Sequence, residues 1–189
     1  MALKLAVVIG STRPGRVGPS VAAWFLDAAR EHGEFDVTLV DLADLDLPLL
    51  DEPEHPVKQL YKHDHTKKWA AIVDEADAFV FVTPEYDFFA PAALVNAIQY
   101  LSKEWAYKPA AIVSYGGISG GLRSTQMLRL LLSSLNVHAL KESVSIQFVA
   151  KHIHDGVFTP EHHAISSADT MLGELNKWAG ALRPLRFPH

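Results

Sequence analysis

The sequence predicts an α/β fold in which a parallel sheet of about five strands is covered by helices on both faces. Short apolar runs, rich in β-branched residues, alternate along the chain with longer segments whose apolar residues recur at helical spacing. Two of the runs, residues 3–9 and 78–83, contain few polar residues, which is typical of strands buried on both sides. Strands that alternate with helices favour right-handed crossovers and parallel pairing.

The first predicted strand, Leu3–Ile9, runs into a Gly-Ser-Thr-Arg-Pro-Gly loop. A helix follows from residue 17, and Gly33 provides its stop signal. Residues 35–42 alternate between apolar and polar side chains, which indicates a strand near a sheet edge. The chain therefore begins with a strand, a helix and a second strand.

Residues 44–67 combine three prolines with many charges, which predicts a long surface connection. A helix over residues 68–77 and the apolar strand at 78–83 come next. The remaining predicted elements are helices at 91–105, 121–136 and 164–182, and strands at Pro109–Tyr115 and 144–149.

The composition limits what the chain can do. Its 189 residues, 49% of them hydrophobic, predict one domain over residues 1–189. A net charge of -5 argues against nucleic acid as a partner. Cysteine is absent, so redox chemistry would need a cofactor. The apolar run at the N-terminus is too short for a signal peptide or a membrane span, so we expect a cytoplasmic protein with no membrane partner.

Three loops follow predicted strands, at the sheet edge where open α/β folds bind ligands. Residues 10–18 offer hydroxyls, two arginines and small residues before a helix, which are donors suited to a phosphate. Residues 83–91 combine a proline with acids and aromatics, which can line a planar ring. Residues 114–121 contain four glycines, which allow backbone amides to approach a ligand closely.

The first loop matches none of the common phosphate motifs. It lacks the Gly-Lys-Ser/Thr of a Walker loop, and glycines at positions 10, 15 and 18 do not form Gly-x-Gly-x-x-Gly. Without a cysteine nucleophile, a bound phosphate is held rather than hydrolysed. These exclusions favour a mononucleotide ligand.

In this order, the three loops resemble those of the NADPH-dependent FMN reductase family, with a similarity expected to run through about Gln147. The resemblance implies a flavodoxin-like three-layer sandwich: a five-stranded parallel sheet of order 2-1-3-4-5 with helices on both faces. It also implies an FMN site. The phosphate residues would be Ser11, Arg13, Arg16, Val17 and Gly18, and the ring would lie against Pro84, Glu85, Tyr86, Asp87, Ser114, Tyr115, Gly116 and Gly117.

The activity implied by the resemblance is transfer of a hydride from NADPH or NADH to bound FMN, and then to a quinone, azo, nitro, flavin or metal-oxyanion acceptor. No side chain is expected to act as a catalytic acid or base, because flavin N5 carries the chemistry. The resemblance further implies a homodimer or homotetramer, and it favours a subunit contact over ordinary packing for Trp105 and Tyr107. Two alternatives stay open: a flavodoxin-type electron carrier without direct NAD(P)H turnover, and a flavin-binding sensor.

Asp87 departs from the family pattern, which has asparagine there. An ionised aspartate offers only acceptors and negative charge, so it would disfavour an anionic reduced flavin if it faced the ring. Arg123 is a candidate partner for the 2′-phosphate of NADPH. Histidines cluster at residues 63–65, 152–154 and 162–163, but each group lies in a polar connection, and no metal site is expected.

Overall fold

A five-stranded parallel sheet lies at the centre of the computed structural model, which describes residues 2–186. Its strand order is β2-β1-β3-β4-β5, which confirms the flavodoxin-like order 2-1-3-4-5. The edge position of β2 agrees with its alternating sequence. The strands are β1 (Leu3–Ile9), β2 (Phe35–Asp41), β3 (Ala78–Pro84), β4 (Pro109–Tyr115) and β5 (His138–Ile146).

Helices cover both faces of the sheet. The pair α1 and α6 packs on one face, and α3, α4 and α5 pack on the other. The helices are α1 (Gly18–His32), α2 (Leu42–Leu45), α3 (Asp64–Glu75), α4 (Ala92–Gln99), α5 (Leu122–Ser133) and α6 (His162–Leu182).

The central strand β3 shows why its sequence is apolar throughout. Val80 and Val82 join the core under α1 and α6, whereas Phe79 and Phe81 join the core on the opposite face. All seven residues of β3 are buried. The predicted burial of this strand on both sides is confirmed.

The helix predicted at 91–105 was too long. α4 ends at Gln99, and a separate 3₁₀ turn follows at Lys103–Trp105. The Trp105 indole is fully buried and donates to the carbonyl of Ile98 at 3.1 Å. The expected subunit contact by Trp105 was therefore wrong, because this side chain belongs to the core.

Other predicted boundaries also differ. α3 begins at Asp64 rather than residue 68, because its first turn is polar and lacks the apolar signal. The helix predicted at 121–136 is α5, which ends at Ser133. β5 begins six residues before residue 144, since its first part is a half-exposed edge with polar side chains. It ends at Ile146, and Phe148 then adopts a positive φ of 47°.

A two-stranded hairpin after β5 was not predicted. Its strands are β6 (Ile153–His154) and β7 (Val157–Phe158), joined by Asp155 and Gly156, both with positive φ. Asp-Gly between two short runs is a hairpin signal that was present in the sequence. Within residues 2–186, no helix is long and apolar enough to cross a bilayer.

Candidate functional site

The carboxyl ends of β1, β3 and β4 bring the three predicted loops into mutual contact. Ser11 Oγ of the first loop lies 2.8 Å from the Tyr86 hydroxyl of the second. The Glu85 amide of the second loop donates to the carbonyl of Tyr115 at 3.2 Å, at the start of the third. The three loops therefore border one region of the sheet edge.

The first loop reaches α1 through a tight turn. The Arg16 amide donates to the carbonyl of Arg13 at 3.1 Å, and Gly15 in this turn has a φ of 73°, a conformation that favours glycine. Helix α1 then begins at Gly18 with no acidic residue in its first turn. A helix start of this kind presents free amides and the positive end of the helix dipole.

Arg16 points back to the end of β2, where its guanidinium forms an ion pair with Asp41. Both side chains are largely buried, with 18% and 15% exposed. The Nε atom of this guanidinium is also buried and has no hydrogen-bond partner within residues 2–186. An unpaired buried donor costs free energy unless a further group satisfies it.

The Tyr115 hydroxyl is another buried polar atom with no hydrogen-bond partner among the described residues. It lies against the start of α1, where a Cβ added to Gly18 would come within 2.7 Å of it. Burial raises the pKa of Tyr115, and the nearby Tyr86 adds to the effect, so the hydroxyl stays protonated and able to donate. Two unpaired buried donors thus flank the first turn of α1.

The second loop is a tight turn closed by two hydrogen bonds of 2.9 Å between the backbones of Tyr86 and Phe89. The two residues between them, Asp87 and Phe88, have positive φ values of 48° and 74°. Such values are uncommon for residues with a side chain, and least common for bulky ones. The turn leaves Phe88 and Phe89 well exposed at the edge of the candidate site.

Glu85 ties the second loop to the first turn of α5. Its carboxylate accepts hydrogen bonds from the Arg123 amide at 2.9 Å and from the Arg123 guanidinium at 2.8 Å. Burial alone would raise the pKa of Glu85, but the bonds from Arg123 and one from Ser119 outweigh it and hold this pKa below its usual value. The guanidinium also lies 4.3 Å from the centre of the Phe88 ring.

Several polar groups of the third loop form hydrogen bonds with other groups of the protein. Ser114 Oγ donates to the Gly120 carbonyl at 2.8 Å, and the Gly116 amide donates to Ile146 at 3.1 Å. Gly117 differs, because a Cβ placed there would meet no atom within 4 Å. Gly117 is therefore the glycine of this loop at which a ligand has open access to the backbone.

Comparison with known proteins identifies the family. Residues 3–151 match the family described as NADPH-dependent FMN reductase. The chain belongs to the NADPH-dependent FMN reductase family. Its members use FMN with NAD(P)H, and the chain is an oxidoreductase of this type.

Two relatives of this reductase cover most of its length. An NAD(P)H-dependent FMN reductase of Schizosaccharomyces pombe is 36% identical over 96% of the chain and 90% of the relative. An NAD(P)H:quinone oxidoreductase of Solanum tuberosum is 33% identical, with 84% of each protein covered. The flavoenzyme NAD(P)H:(acceptor) oxidoreductase FerB of Paracoccus denitrificans has the same fold, with a TM-score of 0.74 at 19% identity and coverage of 95% and 98% of the two chains.

The reductase fold suits FMN at this edge on structural grounds. The unpaired Arg16 Nε and Tyr115 hydroxyl are donors that phosphate oxygens could satisfy, and the lack of a Cβ at Gly18 lets the Tyr115 hydroxyl lie close to the start of α1. The structure gathers all the predicted positions at the three loops. Their contact with FMN stays a prediction.

The pairing of two residues in this region was not predicted from the sequence. Asp41 was not considered, although it ends the strand beside β1 and is the register partner of Ile9. Arg123 was considered only as a phosphate partner, whereas the structure pairs it with Glu85. In both cases the missing information was which charges meet across neighbouring loops, and spacing along one chain does not provide it.

The histidine groups show little sign of a metal centre. His63 stacks on His65, and His65 Nε2 lies 3.0 Å from a carboxylate oxygen of Asp51. Among residues 2–186, no group of three or more histidine, aspartate or glutamate side chains is arranged to hold a metal ion.

Proposed function

We propose that this chain is a single domain that binds FMN across the three loops. Its proposed reaction is the reduction of a quinone-type acceptor with NAD(P)H as the electron donor. The observation that carries the proposal is the pair of unpaired buried donors, Arg16 Nε and the Tyr115 hydroxyl, at the first turn of α1. A dianionic phosphate is the ligand group that best satisfies two donors beside a helix start.

The first loop would hold the phosphate. Arg16 and Tyr115 supply buried donors, and Val17 and Gly18 supply amides at the start of α1. The Arg13 guanidinium lies 5.6 Å from the centre of the Tyr86 ring and is exposed, so it can turn towards an anion at modest cost. The Asp41 carboxylate fixes one side of the Arg16 guanidinium and so orients its remaining donors.

The second and third loops would position the ring. Pro84 is buried at the end of β3, Tyr86 is held by its bond to Ser11, and Gly117 leaves its backbone open. When bound, FMN would supply the redox chemistry, which is uptake of a hydride from NAD(P)H and transfer of two electrons to the acceptor. The protein's part is to orient the rings and to exclude water, so no side chain needs to act as acid or base.

A planar apolar acceptor suits the outer rim of this site. Phe88 and Phe89 in the second loop are 62% and 60% exposed, and Ile118 in the third loop is 74% exposed. Aromatic and aliphatic side chains at such a rim favour a quinone over a charged acceptor. We also propose that a second copy covers part of this rim in a homodimer or homotetramer, which light scattering would measure.

The test begins with the purified protein. We expect a yellow protein whose flavin absorbance bleaches when NADPH is added without oxygen and returns when a quinone is added. Azo, nitro, free-flavin and metal-oxyanion acceptors complete the panel. A colourless protein that ignores added FMN would contradict the proposal. A flavin that only a one-electron donor reduces would identify an electron carrier instead.

A further inference from the structure

A cavity lies beside the candidate FMN site, at the carboxyl end of β5. Its volume is about 490 Å³, which is within the usual range for a small-molecule site. The residues that matter for its chemistry are Phe148, Lys151, His152, Phe158, Glu161 and His163. Most of them follow residue 151, where the family match ends.

The cavity and the third loop share a wall. The Phe148 amide donates to the Gly117 carbonyl at 2.9 Å, and the next amide, of Val149, donates to Gly116 at 3.0 Å. Ser145, which also lines the cavity, donates its hydroxyl to Gly120 at 3.0 Å. A ligand too long for the FMN site could therefore extend past the glycine loop into this cavity.

Phe148 and Lys151 form a mixed aromatic and cationic rim. Phe148 is held with a positive φ of 47°, which is rare for a bulky residue, and its side chain is 44% exposed. The Lys151 ammonium lies 4.9 Å from the centre of the Phe148 ring. Within residues 2–186 this ammonium forms no ion pair with a carboxylate. A ligand with a planar base and a phosphate could stack its base on the Phe148 ring and pair its phosphate with the Lys151 ammonium.

The one acidic side chain among these residues is already engaged. Glu161 lies 3.2 Å from His163 and 3.8 Å from His152. Its carboxylate is thus flanked by two imidazoles at the start of α6 and, among residues 2–186, forms no ion pair with the Lys151 ammonium. An anion at Lys151 would also sit near the positive end of the α6 dipole.

We propose that this cavity binds the adenosine 2′-phosphate end of NADPH. The proposal rests on the proposed function, because it assumes that the nicotinamide end of the same molecule reaches the flavin. Arg123 was the sequence candidate for this phosphate, but its guanidinium is paired with Glu85 and lies on Phe88. Lys151, by contrast, lines the cavity beside the glycine loop and forms no ion pair with a carboxylate in the described part of the chain.

Binding of a fragment tests the cavity without turnover. Calorimetry of the FMN-loaded protein should show 2′,5′-ADP binding about tenfold more tightly than 5′-AMP, because only the former carries the 2′-phosphate. Lys151→Gln should abolish this preference. Lys68→Gln removes the same charge from the exposed side of α3, on the opposite face of the sheet. This control variant should keep the preference for 2′,5′-ADP.

Kinetics then link the cavity to the co-substrate. Lys151→Gln should raise KM for NADPH about tenfold, leave kcat within about twofold, and leave KM for NADH unchanged. The inference is overturned if Lys151→Gln leaves both KM values and the 2′,5′-ADP preference as in the wild type, or if 2′,5′-ADP inhibits without competing with NADPH. If neither NADPH nor NADH reduces the protein, the proposed function is contradicted instead. The calorimetric comparison of 2′,5′-ADP with 5′-AMP then tests by itself whether the cavity binds the 2′-phosphate.

Discussion

At the scale of single residues, the candidate site is marked by polar atoms that the protein itself leaves unsatisfied. A buried polar group without a partner costs about 1–3 kcal/mol, so folded proteins retain few of them. Arg16 Nε and the Tyr115 hydroxyl both belong to this class, and both lie at the same helix start. This coincidence separates a ligand site from an ordinary strand-to-helix turn.

Tyr115→Phe should therefore change stability and affinity in opposite directions. Without ligand, the variant should gain about 1 kcal/mol of unfolding free energy, because it no longer buries an unpaired hydroxyl. Its FMN affinity should fall about tenfold, because a donor to the phosphate is lost. Urea unfolding of the apoprotein and fluorescence titration with FMN measure the two effects.

The matched control is Tyr61→Phe. The Tyr61 hydroxyl donates to the buried carboxylate of Glu104 at 2.7 Å, so its removal should destabilise the apoprotein and leave FMN affinity unchanged. If Tyr115→Phe also destabilised the apoprotein and bound FMN normally, the Tyr115 hydroxyl would have no place in the phosphate site.

Asp87 offers a test of charge alone. Asp87→Asn should keep the turn, since asparagine and aspartate both tolerate the positive φ found there. Removing the negative charge should raise the two-electron reduction potential of the bound flavin, because the charge disfavours an anionic reduced form. Anaerobic titration against a reference dye measures this potential. An unchanged potential would mean that the Asp87 carboxylate does not act on the ring.

At the scale of elements, burial decided what could be predicted from the sequence. Strands β1 and β4 agree with their predicted bounds because apolar runs buried in a sheet have sharp ends. The first part of β5 is half exposed and polar, so its sequence resembles a loop. For the candidate site, the order of the three loops was enough to predict that they meet at one edge of the sheet. The Arg16–Asp41 and Glu85–Arg123 pairs needed coordinates, because each joins different elements.

The junction of α3 and β4 provides a pH-dependent prediction. Lys108 is buried just before β4, and its ammonium donates to the last carbonyls of α3, of Val73 at 2.7 Å and Asp74 at 2.9 Å. Burial lowers the pKa of Lys108 to about 8. An unfolded lysine has a pKa of about 10.4, so between these values the unfolded chain binds more protons than the native one.

The unfolding free energy contributed by Lys108 should therefore rise as the pH increases from about 8 to about 10, by up to about 3 kcal/mol. Lys108→Met should lack this rise, so the stability of the wild type relative to the variant should grow with pH. Lys68→Met, at an exposed site, should follow the wild type. A constant difference between wild type and Lys108→Met in urea unfolding over this range would contradict the lowered pKa.

At the scale of the whole molecule, cofactor binding and stability are linked. The chain has no cysteine, so redox-dependent changes in the holoprotein report on the flavin and not on thiols. A ligand that binds only the native state at 100 times its Kd adds about 2.7 kcal/mol of stability. For a domain of this size that corresponds to a Tm increase of about 5–10 °C.

Comparing FMN with riboflavin isolates the phosphate in that shift. FMN should raise Tm by clearly more than riboflavin does, because only FMN carries a phosphate that can bind the donors at the start of α1. The double variant Arg16→Gln with Asp41→Asn removes both charges of the buried pair and leaves no lone carboxylate. Its FMN shift should fall towards the riboflavin shift, which should stay unchanged. Arg30→Gln, exposed on α1, is the control and should keep the full difference. Equal shifts by FMN and riboflavin in the wild type would show that the first loop does not bind the phosphate.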